Sequence, residues 1–325
     1  MSLLPPWFSK RRSLALGLAT SGVGFGGFAF NLITGRLISS VGILWAWRIL
    51  GYICIAGNTI CALLFREYNS LTGSNNTTAS VYKPRYSVSI RQFLHTQTLL
   101  VLAWGFITEL GYVSLWYILP TYGTSIGLTP TQGSVVQAIM NLSLGLGRPV
   151  LGYYSDLLGR INTALSAHLL SGVLCLTVWI FVRSYPGLLV FAALAGPVSS
   201  IFWSTVNPIL AEVVKIDQAA SAFGAICFSL VLPATFGVAI SLQMVKGHGI
   251  EEFLPSQIYI GITFLVGASF LWCLRAWKLF DVEKRQAAEC HSAPEDTEIA
   301  GRVSMVISNS SFWLTPKRLF LLERA

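Results

Sequence analysis

Apolar residues recur along the chain in blocks of about 20, each closed by a short polar stretch, which is the length a helix needs to cross a hydrocarbon core of roughly 30 Å. About eight such blocks can be traced, over 13–34, 43–65, 97–119, 131–153, 161–183, 187–210, 219–243 and 257–277. The pattern predicts helices rather than strands, because lipid offers the backbone no hydrogen-bond partner and the alternation of a membrane barrel is missing. The fold class predicted is an all-α polytopic membrane protein.

Composition strengthens this picture. Of 325 residues, 54% are hydrophobic and 11% charged, against about 25% charged in an ordinary soluble domain. Lys10, Arg11 and Arg12 before the first block also fit a signal peptide. The run is too long for one, is rich in glycine and reaches Arg36 without a small-x-small cleavage site, so a bundle helix is expected. Its Gly22 and Gly26 form a GxxxG step that predicts a close helix neighbour.

Lysine and arginine set the orientation, since cytoplasmic loops accumulate them. With the amino end inside, the cytoplasmic segments hold Lys10, Arg11 and Arg12, then Arg66, Lys83, Arg85 and Arg91, then Arg148 and Arg160, then Lys215, then the Arg275 to Arg324 tail. Only Arg36, Arg48, Arg183 and Lys246 fall opposite. Both termini are therefore expected in the cytoplasm, with the plasma membrane as the expected location. The net charge of +8 follows from this asymmetry and does not imply a nucleic-acid partner.

Residues 67–94 are Ser/Thr/Asn-rich and predict a cytoplasmic linker, in which the sequons at Asn75 and Asn76 would never meet the glycosylation machinery. After Lys278 the chain turns polar and mixed in charge, which predicts disorder. The terminal SFWLTPKRLFLLERA is too short to span and reads either as a membrane-surface segment or as nothing in particular.

Conventional active-site chemistry finds no foothold. Cys54, Cys61, Cys175, Cys227, Cys273 and Cys290 lack paired or metal-ligand spacing, and no HExxH, GxSxG triad, Walker loop or dinucleotide fingerprint occurs. No enzyme activity, metal or cofactor is expected.

Residues 147–160, GRPVLGYYSDLLGR, gather charge and glycine at the edge of an apolar block. Read as the turn between two helices, the stretch places Asp156 near the amino end of the next helix, lets Gly159 make the bend, and offers Asp156 counter-charges in Arg160 and Arg148. Such a network could hold two helices in one conformation and release them in another, or the residues could serve topology alone.

The spacing Gly152-x-x-x-Asp156-x-x-Gly159-Arg160 resembles the GxxxDxxGR signature of the major facilitator superfamily. WFSKRRSLALGLATSGVGFGG (7–27) resembles the segment that opens the fifth helix of the monocarboxylate-porter group, WAWRILG (45–51) the start of the sixth in its fungal branch, and GRPVLGYYSDLLGRINT (147–163) the connection of the eighth to the ninth. This resemblance implies a partial major-facilitator fold. Residues 1–66 would be the last two helices of the amino-terminal half, 67–94 the central cytoplasmic loop, 95–278 a six-helix carboxy-terminal half and 279–325 a cytoplasmic tail. The first four helices of twelve would be missing, giving a truncated form or one part of a split transporter. Because alternating access rocks two halves around a midplane site, the chain alone is expected not to transport.

An ionisable residue inside hydrocarbon costs about 3 kcal/mol or more and is presumed functional. Glu109, with Thr108 and Tyr112 close by, is the clearest case; it would carry a proton, pair with a substrate cation, or make a structural hydrogen bond to a neighbouring helix. The resemblance implies that Arg148, before Pro149, binds an anionic substrate; the alternative is a snorkelling anchor for the turn. The carboxylate that animal porters carry one turn earlier is Leu144 here, whereas Asn141 resembles the fungal branch. Trp203 and Asn207 complete the candidate pathway, with Pro208 loosening their helix. Glu212, Lys215 and Asp217 read as a cytoplasmic edge and His168 as a packing residue; Asn31, Asn58 and Gln137 read as interhelical hydrogen-bond candidates. The function implied is secondary transport of a small organic anion such as a monocarboxylate, or of a fungal metabolite, with a proton as co-substrate. A membrane-embedded enzyme and a non-transporting scaffold are the other classes. Expected partners are the solute, the lipid bilayer and a separate amino-terminal half.

Overall fold

In a computed structural model of the chain, the residues described are 11–64, 95–214, 216–247 and 249–292. Lys10, Arg66, Lys215, the 67–94 linker with its sequons, and the terminal stretch 311–325 lie outside them. The order of helices is α1 (Arg12–Val41), α2 (Ile43–Leu64), α3 (Thr96–Ser125), α4 (Pro130–Leu158), α5 (Arg160–Val173), α6 (Tyr185–Ser199), α7 (Ile201–Val213), α8 (Ile216–Ser229), α9 (Val231–Gln243) and α10 (Leu254–Ser292). Consecutive short helices join into single spans. α5 runs on through a π-turn at Leu174–Val178 and a 3₁₀ turn at Trp179–Phe181, α6 and α7 meet at Ser200, and α8 and α9 meet at Leu230.

Seven helical stretches among the described residues are long and apolar enough to cross a membrane. The eighth expected block is α4, a helix of 29 residues. It is less apolar because it carries Gln132, Gln137, Asn141, Arg148 and Asp156. A chain segment surrounded by other helices can afford such residues, and α4 packs against α1, α3, α5, α6 and α7.

Local chemistry explains where the helices begin. Thr129 and Gln132 form a reciprocal capping box at the start of α4, with Pro130 in the first position where its missing N–H costs nothing. Ser184 accepts from the Gly187 N–H at the start of α6. Between α4 and α5 a single residue makes the turn: Gly159 has φ 101°, which favours glycine, so the bend expected there is present.

The core lies within α3 to α8 and α10. Trp104, Leu115, Tyr122, Met140, Trp179, Phe191 and Phe264 are fully buried. Trp179 stacks on Phe191 with centroids 5.4 Å apart. Ser114 ties α3 to α9 by donating to the Gly237 carbonyl at 2.8 Å. α2 is the outlier, with Ala46 its buried residue and most of its large apolar side chains exposed.

Several expectations are corrected. Gly22 and Gly26 face open space; the glycines of α1 in close helix contact are Gly17, Gly24 and Gly27. Both faces of α1 are apolar, so hydrophobicity alone does not separate a helix-facing from a lipid-facing stripe. Asn31 and Asn58 donate to the Gly27 and Cys54 carbonyls of their own helices, and the buried Gln137 side-chain oxygen has no partner, so none makes the expected interhelical bond. The chain does not lose order at 279 either: α10 continues to Ser292, helped by an Arg285–Asp281 pair at 2.9 Å one turn apart.

Candidate functional site

The most extensive helix contact in the molecule runs between α1 and α4. Its closeness depends on glycine. A β-carbon on Gly17 would stand 2.5 Å from the Arg148 carbonyl oxygen, and one on Gly152 would stand 2.5 Å from that of Ser13. Gly24 meets the Gly145 backbone, and Gly27 meets the Asn141 side chain.

At one end of this seam α1 has no side-chain cap of its own. Its cap comes from α4. The Asp156 carboxylate accepts from the Ser13 N–H at 3.2 Å and from the Leu14 N–H at 3.0 Å. Backbone N–H groups of a first helical turn have no partner within the helix and carry the positive end of its dipole, so an anion there is favoured. Asp156 thus complements exposed helix-terminal amides, and the helix it caps is one remote in sequence. Beside it the Ser155 and Ser13 hydroxyls lie 3.4 Å apart.

Arg160 links this cap to the rest of the same edge. It stands 3.5 Å from Asp156 and 2.7 Å from Glu212 on α7, and Glu212 also pairs with Lys278 on α10. Arg275 of α10 donates to Asn162 of α5 at 2.7 Å. Glu212 thus bridges three helices, more than the plain edge residue that its position at the end of an apolar run indicates. Arg148 is not a counter-charge to Asp156. At the other end of the α1–α4 seam, Asn31, Gly35, Arg36, Pro130 and Ser134 line a cavity of about 620 Å³, which includes none of the expected pathway residues.

Those residues meet deeper in the bundle. Arg148 is 2% exposed and donates to the Thr20 carbonyl at 2.9 Å; the Ser200 hydroxyl lies at 3.5 Å from its Nε. The Tyr112 phenol is its third neighbour. Glu109, near the middle of α3, is 6% exposed and stands by the Trp203 indole. Among the ion pairs of the described residues none joins Glu109 to Arg148. Asn141 is buried, donates to the Gln137 carbonyl at 3.0 Å and faces Gly27 of α1. Asn207 is buried with its amide nitrogen unpaired. Glu109, Tyr112, Arg148 and Trp203 thus come together from three helices, while Asn141 and Asn207 flank them on α4 and α7.

Thr20 and Ser200 are members of this cluster that sequence reasoning did not single out, whereas it sets Tyr112 close to Glu109. The Thr20 contribution is a carbonyl and leaves no trace in residue type; Tyr112, three residues after a buried glutamate on one helix face, carried the only usable signal. His168 behaves as a packing residue, its Nδ1 donating to the Ala164 carbonyl at 2.9 Å and its ring set edge-on to Trp104 and Phe264.

The model of the Major Facilitator Superfamily matches residues 1–129 and 101–322. The chain belongs to the Major Facilitator Superfamily. It is a multi-pass membrane protein, and its relatives are fungal transporters. It is 28% identical over 285 residues to the "Probable transporter MCH2" of Saccharomyces cerevisiae, covering 85% of this chain and 58% of that one. With the "MFS-type transporter hasB" of Aspergillus fumigatus the identity is 27% over 294 residues, or 86% and 64% of the two chains. With the "Fujikurins efflux protein" of Gibberella fujikuroi it is 25% over 273 residues, or 83% and 57%. This superfamily chain thus spans between 57% and 64% of the length of these curated relatives.

Proposed function

We propose that the chain forms part of a secondary transporter that moves a small organic anion, a monocarboxylate or a larger fungal metabolite, by alternating access. The observation that carries this reading is the buried Arg148: its hydrogen bonds go to the neutral Thr20 and Ser200, and among the described residues no ion pair joins it to the nearby acid, Glu109. A buried cation without a carboxylate partner is expensive, and a transported anion supplies the missing charge. The efflux activity in the name of the Gibberella relative is consistent with a metabolite as cargo.

In this reading α1 and α2 are the last two helices of an amino-terminal half, residues 67–94 are the central loop, and α3 to α10 fold as the six-span carboxy-terminal half. Both termini face the cytoplasm of a plasma-membrane protein. Asp156, Gly152, Gly159 and Arg160 form a latch between the halves that closes the cytoplasmic side and opens during the cycle. Glu109 carries a proton, and Asn141, Trp203 and Asn207 line the path. Alternating access rocks two halves around a midplane site, so the cycle needs a complete amino-terminal half beside the carboxy-terminal one.

Reconstitution tests this. The 325-residue chain alone in liposomes is expected to give no flux of radiolabelled organic acids, and co-expression with a segment completing the amino-terminal half is expected to restore it. Flux by the chain alone overturns the split arrangement; absence of flux in both overturns transport.

A further inference from the structure

The cavity of about 620 Å³ between the last turns of α1 and the first turn of α4 lies at the depth of a membrane edge. From Ser13, which is held by Asp156 at one edge, α1 runs about 35 Å to Arg36 at about 1.5 Å per residue, against a hydrocarbon core of roughly 30 Å. Arg36 therefore stands at the level of the lipid phosphates, on the side opposite Asp156.

The cavity carries one charge. Arg36 lines it and no acid does, and the chain has no Asp or Glu anywhere between Arg12 and Phe65. None of the ion pairs among the described residues includes Arg36. The serines of the wall spend their protons within their own helices: the Ser39 hydroxyl donates to the Arg36 carbonyl at 2.9 Å and the Ser134 hydroxyl to the Pro130 carbonyl at 3.0 Å. The guanidinium N–H groups are left as the charged donors of the site.

Below the charge the wall is apolar. Leu32 and Ile33, one turn nearer the membrane centre than Arg36, line the same cavity with Val135 of α4, and they remain 37% and 43% exposed. A cation at phosphate depth above an apolar wall has the amphipathic order of a phospholipid, with its anionic phosphodiester above its acyl chains. A soluble anion matches the cation and leaves the wall uncovered; an acyl chain alone covers the wall and leaves the cation unpaired.

We propose that this cavity binds a phospholipid, with the phosphodiester on Arg36 and the upper part of an acyl chain along Leu32, Ile33 and Val135. The lipid sits as a wedge between the ends of α1 and α4. The assignment needs the chain to be in a membrane and does not depend on what the chain transports.

Photo-crosslinking in vesicles tests it. The full 325-residue chain is reconstituted in phosphatidylcholine with a trace of phosphatidylcholine, or of galactosyl diacylglycerol, that carries a photoactivatable group at the top of one acyl chain; the second probe has the same chains and no phosphate. Adducts within 31–39 and 130–135, mapped by mass spectrometry, are measured relative to those on α2, where the exposed Tyr52, Ile55 and Ile60 report general lipid contact. The phosphatidylcholine probe is expected to be enriched at the cavity and the galactosyl probe is not. Arg36→Gln should cut the enrichment about fivefold, the upper worth of a partly exposed charge pair, and Arg36→Lys should keep most of it. Should Arg36→Gln fail to insert, Ser134→Leu, which fills the cavity and leaves the charge, should lower the enrichment in its place. Equal enrichment of the two probes, or enrichment that survives these substitutions, overturns the proposal. So does loss of the adducts on addition of excess glycerophosphocholine, which would make the ligand a soluble phosphodiester.

Discussion

Asp156 and Leu14 are 142 residues apart in sequence, yet the aspartate carboxylate accepts the leucine backbone N–H at 3.0 Å. One charge at the end of α4 thereby terminates α1, and the α1–α4 seam is fixed at that edge by electrostatics as well as by packing. Asp156→Asn retains an acceptor but removes the charge and adds a donor facing the α1 amides. The substitution should loosen this edge by about 1–2 kcal/mol, the worth of charge-assisted bonds at a helix amino terminus. Spin labels placed on α1 and α4 near that edge should report a longer mean separation; an unchanged distance distribution contradicts the latch.

Ser13 and Ser155 offer a complementary trap. Their hydroxyls are 3.4 Å apart, so cysteines at both positions bring sulfurs near bonding range. The double variant should cross-link on mild oxidation, and in a transporting assembly the cross-link should stop flux until reduced. Cross-linking without loss of flux would show that this edge does not open in the cycle.

Glycines of α1 should separate into two groups under alanine substitution. Gly24→Ala forces a β-carbon into the Gly145 backbone, where overpacking costs about 1–3 kcal/mol. Gly22→Ala meets open space and should be neutral or stabilise the helix by up to about 1 kcal/mol. Thermal unfolding in detergent distinguishes them, and equal effects would show that the seam is not held by backbone contact.

Glu212→Gln removes the charge shared by Arg160 and Lys278 and leaves one of the two acceptor oxygens. Both pairs are partly exposed, so the direct loss is expected to be about 1 kcal/mol. The larger consequence falls on Asp156, because Arg160 is released toward it and competes with the α1 amides. Slower cross-linking of the Ser13 and Ser155 cysteine pair in this background is the expected sign; an unaltered rate would show that the two ends of Arg160 act independently.

Glu109→Gln and Arg148→Ala should each reduce transport by at least about tenfold while expression is retained, since each removes a buried charge that the cycle uses. Expression is read by detergent-extractable protein and transport by flux in the reconstituted assembly. Unchanged flux in both variants overturns the pathway assignment.

The helices were legible in the sequence because lipid imposes a length and a composition that few other environments require. Gly159 was legible as a turn since a bend between two apolar blocks needs a residue tolerant of positive φ. Glu109 stood out as a charge in an apolar run. The partner of Asp156 was not legible, because a helix amino terminus offers backbone amides whose identity is independent of residue type. Nor was the choice of Gly24 over Gly22, which depends on the rotation of α1 about its axis. The partners of Glu212 were not legible for a related reason: Arg160 and Lys278 come from other helices.

α10 has 39 residues, so at 1.5 Å per residue it is about 58 Å long, nearly twice the hydrocarbon thickness. A helix of that length reaches past the lipid, and the end of its membrane span is tied to the bundle by Lys278 and Arg275. A small angular tilt of the bundle becomes a displacement of several ångströms at the tip, which makes that tip a natural place to attach a reporter of the transport cycle.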